Sequence, residues 1–226
     1  MWVLSHLCRH DSITFPRYIN RNSQHRRSTG LLMVALDVII LAAGRSSRLG
    51  EAKALIDLGG NSLISCLVAR LQKLTNVAIT AVTNADLLAD IMIQCPSIHV
   101  VLNPDPEKGR TGSLRCALES ILERNGRLPN RLLIVPVDRP GWSIEIVRLL
   151  LESDVSCCPI WDDQGGHPLF LVGNDIKGVY LSSGDVPLSS LIQRKTIRVN
   201  FPFLHLNIDR QEDVNKLLLA SKEDWF

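Results

Sequence analysis

The sequence predicts an α/β fold, a three-layer αβα sandwich built around a mostly parallel sheet. Three observations carry that expectation. Apolar, β-branched runs of strand length alternate with stretches of helical period along most of the chain. The strand-like runs are apolar throughout, as expected of strands covered on both faces. The chain has 226 residues, 46% of them hydrophobic and 21% charged, which suits one globular domain with a substantial core.

The elements follow in order. Residues 37–42 form the first strand, and the apolar segment Leu55–Leu58 ends in a turn at Gly59-Gly60. A helix is expected over 62–74, with Leu63, Ile64, Leu67, Val68, Leu71 and Leu74 on one stripe. Strands are expected over 77–82, 98–102, 131–137 and 155–161, and helices over 86–92, 113–124 and 143–152. Ser113 reads as the N-cap of the third helix. The spacing Asp209-x-x-Glu212 reads as a capping box that starts the last one.

Residues 1–33 stand apart from this pattern. They are rich in Arg, His and Ser, poor in acids and without clear period. They read as a basic extension lacking fixed structure, either an organelle-targeting segment or, preferably, sequence upstream of a true start at Met33. The globular domain is therefore expected over 34–226. Net charge is +2, but Arg9, Arg17, Arg21, Arg26 and Arg27 face only Asp11 within residues 1–36, so the remainder is slightly acidic. Such a body does not suggest a nucleic-acid-binding surface. No apolar run reaches 18 residues, so no membrane span is expected. The six cysteines form no C-x-x-C pair, which points to reduced thiols in a cytoplasmic setting.

The first strand opens into Leu41-Ala42-Ala43-Gly44-Arg45-Ser46-Ser47-Arg48-Leu49-Gly50-Glu51-Ala52-Lys53. Gly44 and Gly50 permit positive φ and close approach of a ligand. Backbone N–H groups with Ser46 and Ser47 can donate to phosphate oxygens, and Arg45, Arg48 and Lys53 supply positive charge suited to a triphosphate. Two familiar glycine loops are excluded. A dinucleotide fingerprint needs G-x-G-x-x-G, and no second glycine follows Gly44 until Gly50. A P-loop needs Gly-Lys-Ser/Thr at its end, whereas Glu51 follows Gly50.

Four further stretches carry chemistry. Asn103-Pro104, then Gly109 to Ser113, join the third strand to the third helix and would present N–H groups to a nucleotide. Asp138 follows the buried run Ile134–Val137 directly, where a carboxylate projects into the crevice and can hold Mg²⁺. Gly166-His167-Pro168 and the Asn207-Ile208-Asp209 segment complete the set. All fall at strand ends, where ligands of parallel sheets sit.

The pattern L-A-A-G-x-S-x-R-x-G-x-x-K resembles the opening motif of the MobA-like nucleotidyltransferases. That group includes the guanylyl- and cytidylyltransferases of molybdenum cofactor synthesis and, more distantly, sugar-phosphate nucleotidyltransferases. The resemblance spans roughly residues 37–216 and implies a Rossmann-like sandwich of the nucleotide-diphospho-sugar transferase kind. It implies that Leu41, Ala42, Ala43, Gly44, Asn103, Gly109 and Ser113 bind the nucleotide. Arg45, Arg48 and Lys53 would stabilise the reacting phosphates. Asp138 would hold Mg²⁺, with Asp209 or Asn207 as the second ligand, and Gly166 and His167 would approach the acceptor.

The resemblance further implies transfer of an NMP group from CTP or GTP to a phosphorylated small molecule such as molybdopterin. Ala43 and the Gly-His-Pro element favour CTP. A sugar- or polyol-phosphate nucleotidyltransferase is the alternative. So is an inactive nucleotide-binding relative, since Asn207 replaces an acid and no arginine precedes Gly165. Neither nucleic acid nor membrane is an expected partner, and the expected state is a monomer or weak homo-oligomer.

Overall fold

The structure is a computed structural model that describes residues 36–44, 49–183 and 186–226. The expectations for residues 1–33, and those for Arg45 and Arg48, lie outside the described residues.

Among the described residues the strands are β1 (Leu36–Ala42), β2 (Val77–Thr83), β3 (His99–Leu102), β4 (Arg131–Pro136), β5 (Cys157–Trp161), β6 (Gln164–Gly165), β7 (Leu169–Val172) and β8 (Lys195–Arg198). The helices are α1 (Leu63–Leu71), α2 (Leu88–Gln94), α3 (Gly109–Asn125), α4 (Ile144–Leu151), α5 (Asn174–Leu181), α6 (Leu188–Leu191) and α7 (Gln211–Ala220). Strand order is β3-β2-β1-β4-β7-β5-β6, with β8 on the other side of β5. Strands β3, β2, β1 and β4 run parallel.

Every residue of β1 is buried, which is why it reads as an uninterrupted apolar run. Its alternate side chains enter two separate cores. Val38, Ile40 and Ala42 pack with Leu63 and Leu67 of α1, Val147 of α4 and Leu217 of α7. Ile39 and Leu41 pack with Leu114, Leu118 and Ile121 of α3 and Val179 of α5. Two cores on opposite faces of one sheet make the three layers. The α/β sandwich with a mostly parallel sheet is therefore present as expected.

Strand β7 was not expected. It enters antiparallel between β4 and β5, with Ile134 opposite Leu169 and Leu133 opposite Phe170. Its reversed direction has a consequence for function. The segment that precedes it, Gly166-His167-Pro168, comes to the edge where β1, β3 and β4 end; the His167-Pro168 bond there is cis.

Local signals at helix ends held in part. Ser62 and Ser143 cap α1 and α4, accepting from the N–H groups of Ser65 and Ile146. Ser113 is not an N-cap. A 3₁₀ turn at Pro106–Lys108 leads into α3 earlier, and Ser113 lies inside the helix, its hydroxyl donating to the Gly109 carbonyl at 3.1 Å. The capping contact at α7 is shifted by one residue. The Asp213 carboxylate, not Glu212, accepts from the N–H groups of Arg210 and Asp209 at 2.9 and 3.0 Å.

Candidate active site

The ends of β1, β3 and β4 surround a cavity of about 200 Å³ whose wall includes Leu41, Ala42, Ala43 and Gly44. Of the two glycines in the first loop, Gly50 has φ 78° and uses its conformational freedom; Gly44 does not take a positive φ. A Cβ at Gly44 would meet nothing within 4 Å, so its bareness leaves space beside the cavity. The Ala43 carbonyl is held by Asn84, whose Nδ2 donates to it at 3.3 Å while its Oδ1 accepts from Leu87.

The opposite wall comes from the loop after β3. Asn103 is buried and its side chain is fully used. Its Nδ2 donates to Ser113 Oγ at 3.0 Å, and its Oδ1 accepts from the Asp105 N–H at 2.9 Å. The loop thus has a fixed shape, and Gly109 turns it at φ 68° into α3. Gly109 and Ser113 line the cavity, whereas Asn103 works from behind it.

Asp138 stands just past the end of β4, where the Val137 N–H still donates to the Leu41 carbonyl at 3.0 Å. The chain returns to this point before α7. There the Ile208 N–H donates to the Asp138 carbonyl at 2.9 Å, with the Ile208 side chain fully buried. Asn207 and Asp209 are thereby set beside Asp138. Gly141 permits the approach, because a Cβ there would lie 1.9 Å from the Phe203 carbonyl oxygen. Behind it, Arg70 is only 1% exposed and stacks 3.9 Å from the Trp142 ring. Its Nη1 donates to the carbonyls of Pro140 and Trp142.

Lys53 joins the two carboxylates. Its Nζ lies 2.8 Å from Asp209 Oδ1 and 3.9 Å from Asp138 Oδ2. The hydrogen bond from Lys53 holds the Asp209 carboxyl below its ordinary pKa, with a second from Asn207 Nδ2 helping. Arg110 Nη2 lies 3.6 Å from Asp138 Oδ2. Two cations therefore rest on a pair of acids. The donor set also fits a hard divalent cation. Among the described residues the Asn207 Oδ1 is buried without a hydrogen-bond partner, next to the Asp209 carboxylate, and Mg²⁺ takes oxygen ligands of this kind. Among the described residues, no group of three or more His, Cys, Asp or Glu side chains is arranged to hold a metal. Two acids and an amide oxygen are the set available.

His167 lines a second cavity of about 490 Å³ that adjoins the first. Burial, then the guanidiniums of Arg139, Arg110 and Arg194, push its pKa down to about 3. It is a neutral imidazole throughout the physiological range. Gly166 packs directly on Leu204, whose side-chain carbons a Cβ would meet at 2.5–2.8 Å. Its small size serves that contact.

The expected residues Leu41 to Gly44, Lys53, Gly109, Ser113 and Asp138 come together at one crevice, with Asp209 and Asn207 at its rim. Sequence reasoning passed over Arg110, Asn84, Gly141 and Arg70. A signal existed for Arg110, a cation inside the glycine loop Gly109–Gly112. None existed for the others, whose roles depend on distant partners.

A crevice at the carboxyl ends of parallel strands, walled by glycine loops and bearing an acid pair bridged by lysine, suits a phosphate-bearing ligand such as a nucleotide. The chain belongs to the MobA-like NTP transferase domain family, whose model matches residues 38–199. It is 25% identical over 209 residues to the molybdenum cofactor guanylyltransferase of Rhizobium rhizogenes (strain K84 / ATCC BAA-868), covering 82% of this chain and 90% of the relative. It is also 25% identical over 142 residues to the molybdenum cofactor cytidylyltransferase of Escherichia coli (strain K12), covering 62% and 71%.

Solved structures share the fold. A Mycobacterium tuberculosis Rv0371c homologue from Mycobacterium sp. strain JC1 superposes with a TM-score of 0.68 at 20% identity, over 82% of this chain and 96% of that one. The 4-diphosphocytidyl-2C-methyl-D-erythritol synthase of Anaerococcus prevotii DSM 20548 superposes with a TM-score of 0.62 at 15% identity, over 84% and 96%.

Proposed function

We propose that the protein transfers the NMP part of an NTP, with CTP favoured, to a phosphorylated acceptor such as molybdopterin, releasing pyrophosphate. The observation that carries this reading is the Lys53 bridge between Asp138 and Asp209 at the mouth of the first cavity. An acceptor phosphate oxygen attacks the α-phosphorus in line; a new P–O bond forms and the bond to pyrophosphate breaks. The acceptor phosphate is already ionised, so no general base is needed, which agrees with a His167 that stays neutral.

Catalysis is then positioning and charge stabilisation. The first loop and the Gly109–Ser113 segment hold the nucleotide. Lys53, with Arg45 and Arg48, stabilises the triphosphate oxygens. Asp138, Asp209 and the Asn207 amide oxygen would hold Mg²⁺, which when bound neutralises phosphate oxygens. Gly166 and His167 stand on the acceptor side.

Support for CTP over GTP comes from Ala43 and the Gly-His-Pro element; the guanylyl- and cytidylyltransferase relatives are equally similar at 25%. The apolar walls of the second cavity, including Leu41, Ile134, Leu169 and Leu188, favour a flat heterocyclic acceptor over a hydroxyl-rich sugar or polyol phosphate. The reduced cysteines, of which Cys95, Cys157 and Cys158 are buried, agree with work in the cytoplasm. Among the described residues no helix is long and apolar enough to cross a membrane.

Thermal-shift measurements over CTP, GTP, UTP and ATP with Mg²⁺ test the nucleotide, since the bound base stabilises the folded state by mass action. Pyrophosphate release with each phosphorylated acceptor tests the reaction. Absence of release with every NTP and acceptor would overturn it. Binding without turnover would instead establish the inactive nucleotide-binding relative.

A further inference from the structure

The two cavities share one wall. Leu41, Gly109, Arg110 and Pro136 face both, and Arg110 alone among these carries charge. Arg110 is the second residue of α3, and its side chain is 60% exposed. Its contact with Asp138 is 3.6 Å, longer than the roughly 2.7–2.9 Å of a charge-assisted hydrogen bond. Asp138 already faces Lys53 at 3.9 Å. The Arg110 contact is therefore a weak, exchangeable one.

The second cavity has an unbalanced charge. Arg110 and Arg194 line it, and among the described residues no carboxylate does. His167 contributes a neutral imidazole, and the Thr111 hydroxyl is committed to the Val186 carbonyl at 2.6 Å. Two guanidiniums lining one space, Arg110 held otherwise only by its loose 3.6 Å contact with Asp138, suit a phosphate dianion. Arg194 lines the second cavity and not the first.

We infer that the second cavity receives the acceptor's phosphate, gripped by Arg110 and Arg194, and that Arg110 leaves Asp138 for this phosphate when a divalent cation takes the carboxylate. The inference rests on the transferase reading above and locates its acceptor. Arg110 makes and breaks no covalent bond. It carries the attacking phosphate to the wall that the nucleotide also faces.

Two exposed side chains are involved, so Arg110→Gln and Arg194→Gln should fold normally. The probe is inorganic phosphate, titrated calorimetrically into the full chain. Each substitution is expected to weaken phosphate binding about 10-fold or more, the loss typical of one charge-assisted hydrogen bond. Arg194→Gln should leave the thermal shift given by the preferred NTP unchanged. Arg110→Gln should also bind Mg²⁺ more tightly in the absence of other ligands, because a competing cation is gone; Arg194→Gln should not.

Unchanged phosphate binding in both variants overturns the inference, as does weaker Mg²⁺ binding in Arg110→Gln. A loss of NTP binding in Arg194→Gln, with phosphate binding intact, overturns it too. These readouts need no turnover. A protein that binds phosphate through both arginines but never releases pyrophosphate keeps this site and loses the proposed reaction. Where pyrophosphate is released, both variants should raise the KM for the acceptor by about 10-fold or more, with the KM for NTP unchanged in Arg194→Gln.

Discussion

The backbone N–H of Ile208 donates to the carbonyl oxygen of Asp138 at 2.9 Å. That bond locks the segment before α7 to the end of β4 and so sets Asp209 and Asn207 beside Asp138. The acid pair is a product of this closure rather than of either strand end alone.

The closure depends on Gly141. In Gly141→Ala the new methyl would lie 1.9 Å from the Phe203 carbonyl oxygen and 2.9 Å from Leu206 Cβ. Backbone must shift, so a loss of about 1–3 kcal/mol of stability is expected, with activity falling as Asp209 moves. Gly166→Ala meets only the Leu204 side chain and should cost less. Urea denaturation of both variants checks the order, and equal stabilities would refute the argument.

Asp138→Asn keeps shape but removes charge from the atom facing Lys53 and Arg110. Turnover is expected to fall about 10²–10³-fold, the scale of losing one electrostatic contact to the reacting centre. Stability should change by about 0.5 kcal/mol or less, because the side chain is partly exposed. Pyrophosphate release together with thermal melting separates the two effects, and near-normal turnover would remove Asp138 from the reaction.

Arg70 is a buried cation that serves the loop after Asp138. Arg70→Ala removes the donor to two carbonyls and the stack against Trp142 and Phe226. A destabilisation of about 3 kcal/mol is expected from the cavity and the unpaired carbonyls. Among the described residues the charge has no acid partner nearby, and burial lowers its pKa to about 9. Chemical denaturation gives the number; a neutral effect would mean the carbonyls find water.

The depressed pKa of His167 has a pH signature. The folded imidazole titrates at about 3 and the unfolded one near 6.5, so between these values the unfolded state binds more protons. Stability should therefore fall as pH drops through this window, by up to about 1.4 kcal/mol per pH unit, and be little affected by this group well above the unfolded value. His167→Asn should flatten the difference between pH 6 and pH 4. An unchanged slope in the variant would show that the imidazole is accessible to protons when folded. Activity between pH 7 and 8 should show no step from His167.

Much of the fold was legible because its signals are local. The apolar runs of β1, β2 and β4 and the stripes of α1 and α4 announce burial by residue type and period alone. Helix starts were less legible. Ser113 has the chemistry of a cap, but the Pro106–Lys108 turn begins the helix before it. Asp213 takes the place expected of Glu212 because the helix is capped one residue later, at Arg210.

The sequence by itself determined the alternation of strand and helix, the phosphate-suited loop at the end of β1 and an acid at the end of β4. Each depends on neighbours within a few positions. Only the tertiary structure decided that β7 runs backwards between β4 and β5, that Lys53 spans Asp138 and Asp209, and that Arg110 faces two cavities. Those relations join residues far apart in the chain. They arise from strand order, from the closure at Ile208 and from the space left at Gly141, which no local period encodes.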